Sequence, residues 1–229
     1  MTFLVTYYAH PELLRVCIGS IKKFYPKVRI VVSQQINDME IPEDITGFEL
    51  ITHDMRHDSW AGACIGLMKA CGDDIGVFME HDCTLLKPIN DLIKKMDEYD
   101  LIGTEELIPR LRNSPGYANQ NFFILDCGKF VKKWGYGAVW VNPMAMIPKP
   151  QNVESGYGIT QHSEKILFLQ ITPSGYAHGT YYGDYVHHMW FGSYRERNVA
   201  VDGVSFIEME IAVNNFIKDY ELCNLNPKL

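Results

Sequence analysis

The sequence is poor in several features that would mark out other classes of protein. Its six cysteines (Cys17, Cys64, Cys71, Cys83, Cys127, Cys223) form no CxxC pair. That spacing argues against zinc fingers and dithiol redox sites, and for reduced, mostly buried thiols. No apolar run approaches the roughly 20 residues that span a bilayer, so no transmembrane segment is expected. Met1-Thr2-Phe3-Leu4-Val5 has neither the basic start nor the small-residue cleavage site of a secretory signal, so a cytoplasmic location is expected. Positive charge is in deficit: 21 Lys and Arg face 28 Asp and Glu, a net charge of −7. A chain this acidic is poorly suited to hold duplex nucleic acid, and no nucleic-acid partner is expected. No Gly/Ser linker and no internal repeat divides the 229 residues, so 1–229 reads as one domain.

What is present is a succession of short strands and helices. Residues 3–8 form an apolar, aromatic run that His10-Pro11 breaks. Pro11 suits the first position of a helix and Glu12 its first turn. Leu13, Leu14, Cys17, Ile18 and Ile21 recur at helical spacing until Tyr25-Pro26. Residues 28–33 are a second β-branched run. Together these make a βαβ unit, with parallel strands and a right-handed crossover. Ligands of such sheets sit beyond the carboxyl ends of the strands. Thr6, Tyr7 and Tyr8 therefore stand at a crevice, one of the two tyrosines only packing. Further strands are expected at 48–52, 101–103, 119–125 and 186–191. Helices are expected at 61–71, 88–99, 128–134, the second half of 155–169, and 204–222. The fold class is α/β, a Rossmann-like domain with a mostly parallel central sheet flanked by helices.

The chain is organised around residues 75–86. A short apolar run, Ile75-Gly76-Val77-Phe78-Met79, ends in Glu80-His81-Asp82 before apolar residues resume. A run so short and bounded reads as a buried parallel strand. On extended backbone Glu80 and Asp82 point one way and His81 the other. Two carboxylates at the tip of a buried strand repel each other and lose hydration; a divalent cation with oxygen ligands relieves both, whereas an acidic loop start that is simply solvated needs none.

The order of these signals resembles the nucleotide-sugar-dependent glycosyltransferases of the GT-A fold, as a divergent relative of family 2. The resemblance rests on Thr6-Tyr7-Tyr8-Ala9-His10-Pro11 with Ser20-Ile21, on the Gly-Asp turn and Glu80-His81-Asp82 as a DXD-like motif, on Phe122-Phe123-Ile124-Leu125, and on His187-His188-Met189-Trp190-Phe191-Gly192-Ser193. It covers residues 4–197 and implies a nucleotide-binding half, 1–103, and an acceptor-binding half, 104–229. It implies that Asp82 binds Mn2+ or Mg2+ directly, Glu80 directly or through water, and His188, or else His187, as a late ligand. Thr6, Tyr8, Trp60 and His81 would line the donor pocket, with Ser193 and Arg195 or Arg197 at the pyrophosphate. If the reaction inverts the anomeric carbon, Glu154 or Asp184 would be the catalytic base. The implied partners are a nucleotide sugar, with UDP favoured over GDP or TDP, and a glycan, lipid-linked or protein acceptor. The sequence departs from the pattern at Ser33-Gln34-Gln35, where an acidic residue commonly reads the base, and in 61–69, which lacks the usual Arg or Asn. Two alternatives share the architecture. A sugar nucleotidylyltransferase needs a Gly-rich basic loop, absent from 7–14; a non-catalytic carbohydrate-binding protein needs none.

Overall fold

The computed structural model describes residues 1–8, 10–35, 40–53, 59–106, 117–139, 155–176, 179–189 and 206–225. Its strands are β1 (Thr2–Tyr7), β2 (Arg29–Gln35), β3 (Glu49–His53), β4 (Ile75–Glu80), β5 (Cys83–Leu85), β6 (Leu101–Glu106), β7 (Tyr117–Asp126), β8 (Ile166–Leu169), β9 (Ile171–Pro173), β10 (Thr180–Tyr182) and β11 (Val186–His188). Its helices are α1 (Pro11–Phe24), α2 (Ser59–Cys71), α3 (Asn90–Lys95), α4 (Cys127–Trp134), α5 (Ser155–Gln161) and α6 (Phe206–Leu225).

Seven strands form the main sheet in the order β3-β2-β1-β4-β7-β6-β8. From β3 to β4 every pairing is parallel. β7 runs antiparallel between β4 and β6, and β8 returns parallel to β6. Alternation along the strands feeds two cores. Phe3, Val5, Ile30, Val32, Val77 and Met79 pack with Leu14, Cys17 and Ile21 of α1. Leu4, Val31 and Phe78 pack on the other face with Cys64, Leu67 and Met68 of α2. The result is a helix–sheet–helix sandwich in which β4 is buried on both faces, as its unbroken apolar run requires. A second, antiparallel sheet, β5-β11-β10-β9, stands beyond the carboxyl end of β4.

Two expectations are corrected. The helix expected over 88–99 shrinks to Asn90–Lys95. In 155–169 the halves are exchanged: the first is helical and the second is β8. Ile166-Leu167-Phe168-Leu169 is too short to bury a helix face, and it gains ladder partners in Leu101, Ile102, Gly103 and Thr104. No helix among the described residues is long and apolar enough to cross a membrane. The five cysteines whose side chains are described are free and buried.

Candidate active site

β4 ends at Glu80, and His81 and Asp82 turn the chain directly into β5. Two backbone hydrogen bonds hold that turn. The His81 N–H donates to the Thr6 carbonyl at 3.0 Å, and the Met189 N–H donates to the Asp82 carbonyl at 3.1 Å. The acidic tip is thus clamped between the end of β1 and the end of β11. Ser20 of α1 fixes the next residues, accepting from the Leu85 N–H at 2.9 Å while donating to the Cys17 carbonyl at 2.7 Å.

Against this turn the second sheet presents His188. Its Nε2 lies 3.3 Å from Asp82 Oδ1 and 3.8 Å from Glu80 Oε2. All three residues are buried. At the other ring nitrogen, Tyr182 Oη lies 2.6 Å and Asn121 Nδ2 3.3 Å from Nδ1. A phenol can donate or accept, so Tyr182 serves either tautomer. When it donates, Nε2 carries the proton and faces the carboxylates. When it accepts, Nε2 offers its lone pair to a cation held by Asp82 and Glu80. Burial, reinforced by Cys83, holds the Tyr182 phenol well above its usual range, so it keeps its proton.

Cys83 is a neighbour that reading the sequence missed. Single ligand atoms of Asp82, Cys83 and His188 lie within 4.8 Å of one another. The Cys83 thiol donates to the Asn121 carbonyl at 3.2 Å, and burial pushes its pKa well up. A protonated thiol is a poor ligand for a hard cation, so two carboxylates and an imidazole are the better donor set. Asn121 and Tyr182 were missed as well. A residue that orients a histidine through its other ring nitrogen carries no local motif; only the pairing of β10 with β11 brings Tyr182 beside His188.

The other candidate residues are distributed as follows. Thr6 is buried and pairs with Glu80 at the strand ends. His81 is buried, its ring edge-on to Tyr7 at 5.4 Å and to Tyr8 at 6.2 Å. Burial lowers its pKa, partly offset by Asp82. Tyr7 is buried in one core cluster, while Tyr8 is half-buried and packs against the other. His187 faces the opposite side of β11 from the carboxylates, as alternation requires, and burial lowers its pKa to about 4. Asp184 stands on the turn between β10 and β11, its side chain 91% exposed and 3.5 Å from Lys87 Nζ. Trp60 lies in the first turn of α2, its side chain outside the described set. Glu154, Ser193, Arg195 and Arg197 lie outside the described residues. His10, before α1, adopts a left-handed backbone with φ of 66°, a conformation uncommon for a residue with a side chain.

No protein-family model and no curated protein matches this sequence. Solved structures do match the fold. The galactosyltransferase LgtC, solved with donor and acceptor sugar analogues, superimposes with a TM-score of 0.52 at 13% identity, over 74% of this chain and 73% of its own. An active-site mutant of LgtC gives a TM-score of 0.56 at 12% identity, with the same coverage. The glycosyltransferase GlyE of Streptococcus pneumoniae TIGR4 gives 0.50 at 15% identity, over 74% of this chain and 45% of GlyE. With its seven-stranded, mostly parallel sheet flanked by helices, the chain has the GT-A fold of these glycosyltransferases.

Proposed function

We propose that this protein is a metal-dependent glycosyltransferase that moves a sugar from a nucleoside-diphosphate sugar to a hydroxyl group of an acceptor. One observation carries the reading: Glu80, Asp82 and His188 converge at the carboxyl end of the sheet's fourth parallel strand. That is where ligands of open α/β sheets bind. The donor set fits a hard divalent cation, Mn2+ or Mg2+, held by Asp82, Glu80 and the Nε2 of His188. Once bound, the cation supplies positive charge against the departing diphosphate.

The chain's own residues do the rest. Thr6 and Tyr8 line the end of β1, where the nucleoside of the donor lies. Tyr182 and Asn121 orient His188. The burial of Asp82 and His188 keeps water from competing for the same charge. If the reaction is inverting, a carboxylate takes the proton of the acceptor hydroxyl; Glu154 is the candidate, since Asp184 is exposed and beside Lys87.

Titration calorimetry with UDP, GDP and TDP, each with and without MnCl2, tests this function. Binding of at least one of them, UDP first, is expected only when Mn2+ is present. Asp82→Asn, which keeps the shape and removes the charge, is expected to weaken that binding at least about tenfold. No binding of any of the three with Mn2+ present refutes the proposal.

A further inference from the structure

Two of the buried thiols meet where α2 ends and α4 begins. Cys71 is the last residue of α2 and Cys127 the first of α4, and both belong to the core cluster on that face of the sheet. They stand at the amino end of β4, the opposite end from Glu80. Ile75 pairs with Asp126 in the sheet, so Asp74 and Cys127 are the next residues beyond that pair. The Cys127 N–H donates to the Asp74 carbonyl at 3.3 Å. The Cys71 thiol donates to the same oxygen at 3.5 Å. The turn from α2 into β4 also presses directly on α4: a Cβ at Gly128 would lie 2.9 Å from Asp73 Cα. A glycine there lets the two backbones approach.

The thiols also touch each other. Cys127 donates its S–H to the Cys71 sulfur, so the hydrogen bonds run from Cys127 through Cys71 to the Asp74 carbonyl. That donated bond favours the Cys71 thiolate and lowers its pKa, against the opposing effects of burial and Asp74. The same bond, with burial, pushes the Cys127 thiol up. Burial raises Cys17, Cys64 and Cys83 as well. Among the described cysteines, Cys71 is therefore the readiest nucleophile. It is 5% exposed, and exposed Gly72 and Asp73 follow it, so it lies at the edge of the core. Cys127, with no exposed surface, is reached only from Cys71.

We propose that Cys71 and Cys127 are a redox modification site, closed to a reversible disulfide by hydrogen peroxide. The Cys71 thiolate attacks one peroxide oxygen and the O–O bond breaks. The other oxygen leaves as hydroxide, takes up the proton that Cys71 released, and becomes water; Cys71 is now a sulfenic acid. The Cys127 sulfur then attacks the Cys71 sulfur, the S–O bond breaks, and the hydroxyl leaves as water with the Cys127 proton. One peroxide is reduced to two waters while two thiols are oxidised to one disulfide. A dithiol reverses the reaction by exchange. The bridge ties the end of α2 to the start of α4 and stabilises the fold by constraining the unfolded chain between them. Nothing in this site depends on the transferase reading.

Peroxide treatment of the folded protein, alkylation of the remaining thiols and a non-reducing peptide map test it. A linked Cys71–Cys127 peptide is expected, lost on treatment with dithiothreitol and absent from Cys71→Ser. In Cys127→Ser the sulfenic acid has no second thiol to meet. Dimedone should trap it on Cys71 there, at least about tenfold more than on Cys17 or Cys64. The urea midpoint of the peroxide-treated parent should lie above that of the reduced protein, and the difference should vanish in Cys71→Ser. No Cys71–Cys127 linkage in the folded protein, or linkage of either to Cys64 in its place, overturns the proposal. Dimedone labelling of Cys17 or Cys64 ahead of Cys71 overturns it too.

Discussion

Removing the hydroxyl of Tyr182 perturbs the proposed metal centre by a single oxygen atom. Tyr182→Phe keeps the ring, which is fully buried, and deletes the partner 2.6 Å from His188 Nδ1. The described partner that stays at that nitrogen is the Asn121 amide at 3.3 Å, whose NH2 group can only donate. A donor at Nδ1 selects the tautomer with the proton on Nε2, and that proton points at Asp82, where the proposed cation would sit. The cation-binding tautomer would instead face Nδ1–H against an amide N–H. Loss of a partner that orients a metal-ligating histidine typically weakens metal binding about 10–100-fold, or about 1.4–2.7 kcal/mol. Without metal the variant keeps the Asn121 contact, and a net stability loss of about 1 kcal/mol is expected. Calorimetric titration of MnCl2 into the UDP-saturated protein measures the first quantity, and urea unfolding the second. A variant that folds normally and binds Mn2+ as tightly as the parent refutes the role given to Tyr182, and with it the ligand role of His188.

Other perturbations test the packing and the electrostatics. A Cβ at Gly76 would lie 2.8 Å from both Cys127 Sγ and Leu4 Cδ1; Gly76→Ala should therefore cost about 1–3 kcal/mol by overpacking, and an unchanged urea midpoint would contradict the packing around β4. Phe123 stacks on Phe78 with ring centroids 4.2 Å apart and both buried; Phe123→Ala should lose about 3–5 kcal/mol, seen as a lower midpoint at constant slope. The third concerns pH. Burial lowers the folded-state pKa of His187 from 6.5 to about 4, so the unfolded chain binds the proton more readily. Its contribution is full above 6.5 and is lost as pH falls toward about 4, with about 2 kcal/mol gone between pH 7 and pH 5. Urea midpoints at those two pH values should show that loss, and His187→Phe should reduce it; an equal loss in the variant would mean that His187 is not buried neutral.

Local chemistry made much of the architecture legible. Pro11, Glu12 and the helical recurrence of Leu14, Cys17 and Ile21 marked α1, and the apolar run before Glu80 marked β4, because those signals act within one or two turns of chain. The exchange within 155–169 has the opposite origin. Ile166-Leu167-Phe168-Leu169 is apolar in either conformation, and only its pairing with Leu101, Ile102, Gly103 and Thr104 makes it a strand. The short strands β5, β9 and β10 were illegible for the same reason, each being held by partners rather than by its own pattern.

The sequence by itself determined that an acidic tip follows a buried strand, and that the two adjacent histidines must face apart, since side chains alternate on extended backbone. Tertiary structure alone decided which histidine meets the carboxylates. It set β11 against β5 in a register that turns His188 toward Asp82 and His187 toward Tyr181 and Phe216. It also delivered Asn121, 67 residues away in the chain, to the same imidazole. Register is a property of hydrogen bonds between distant segments, and shifting it by one residue would exchange the two faces.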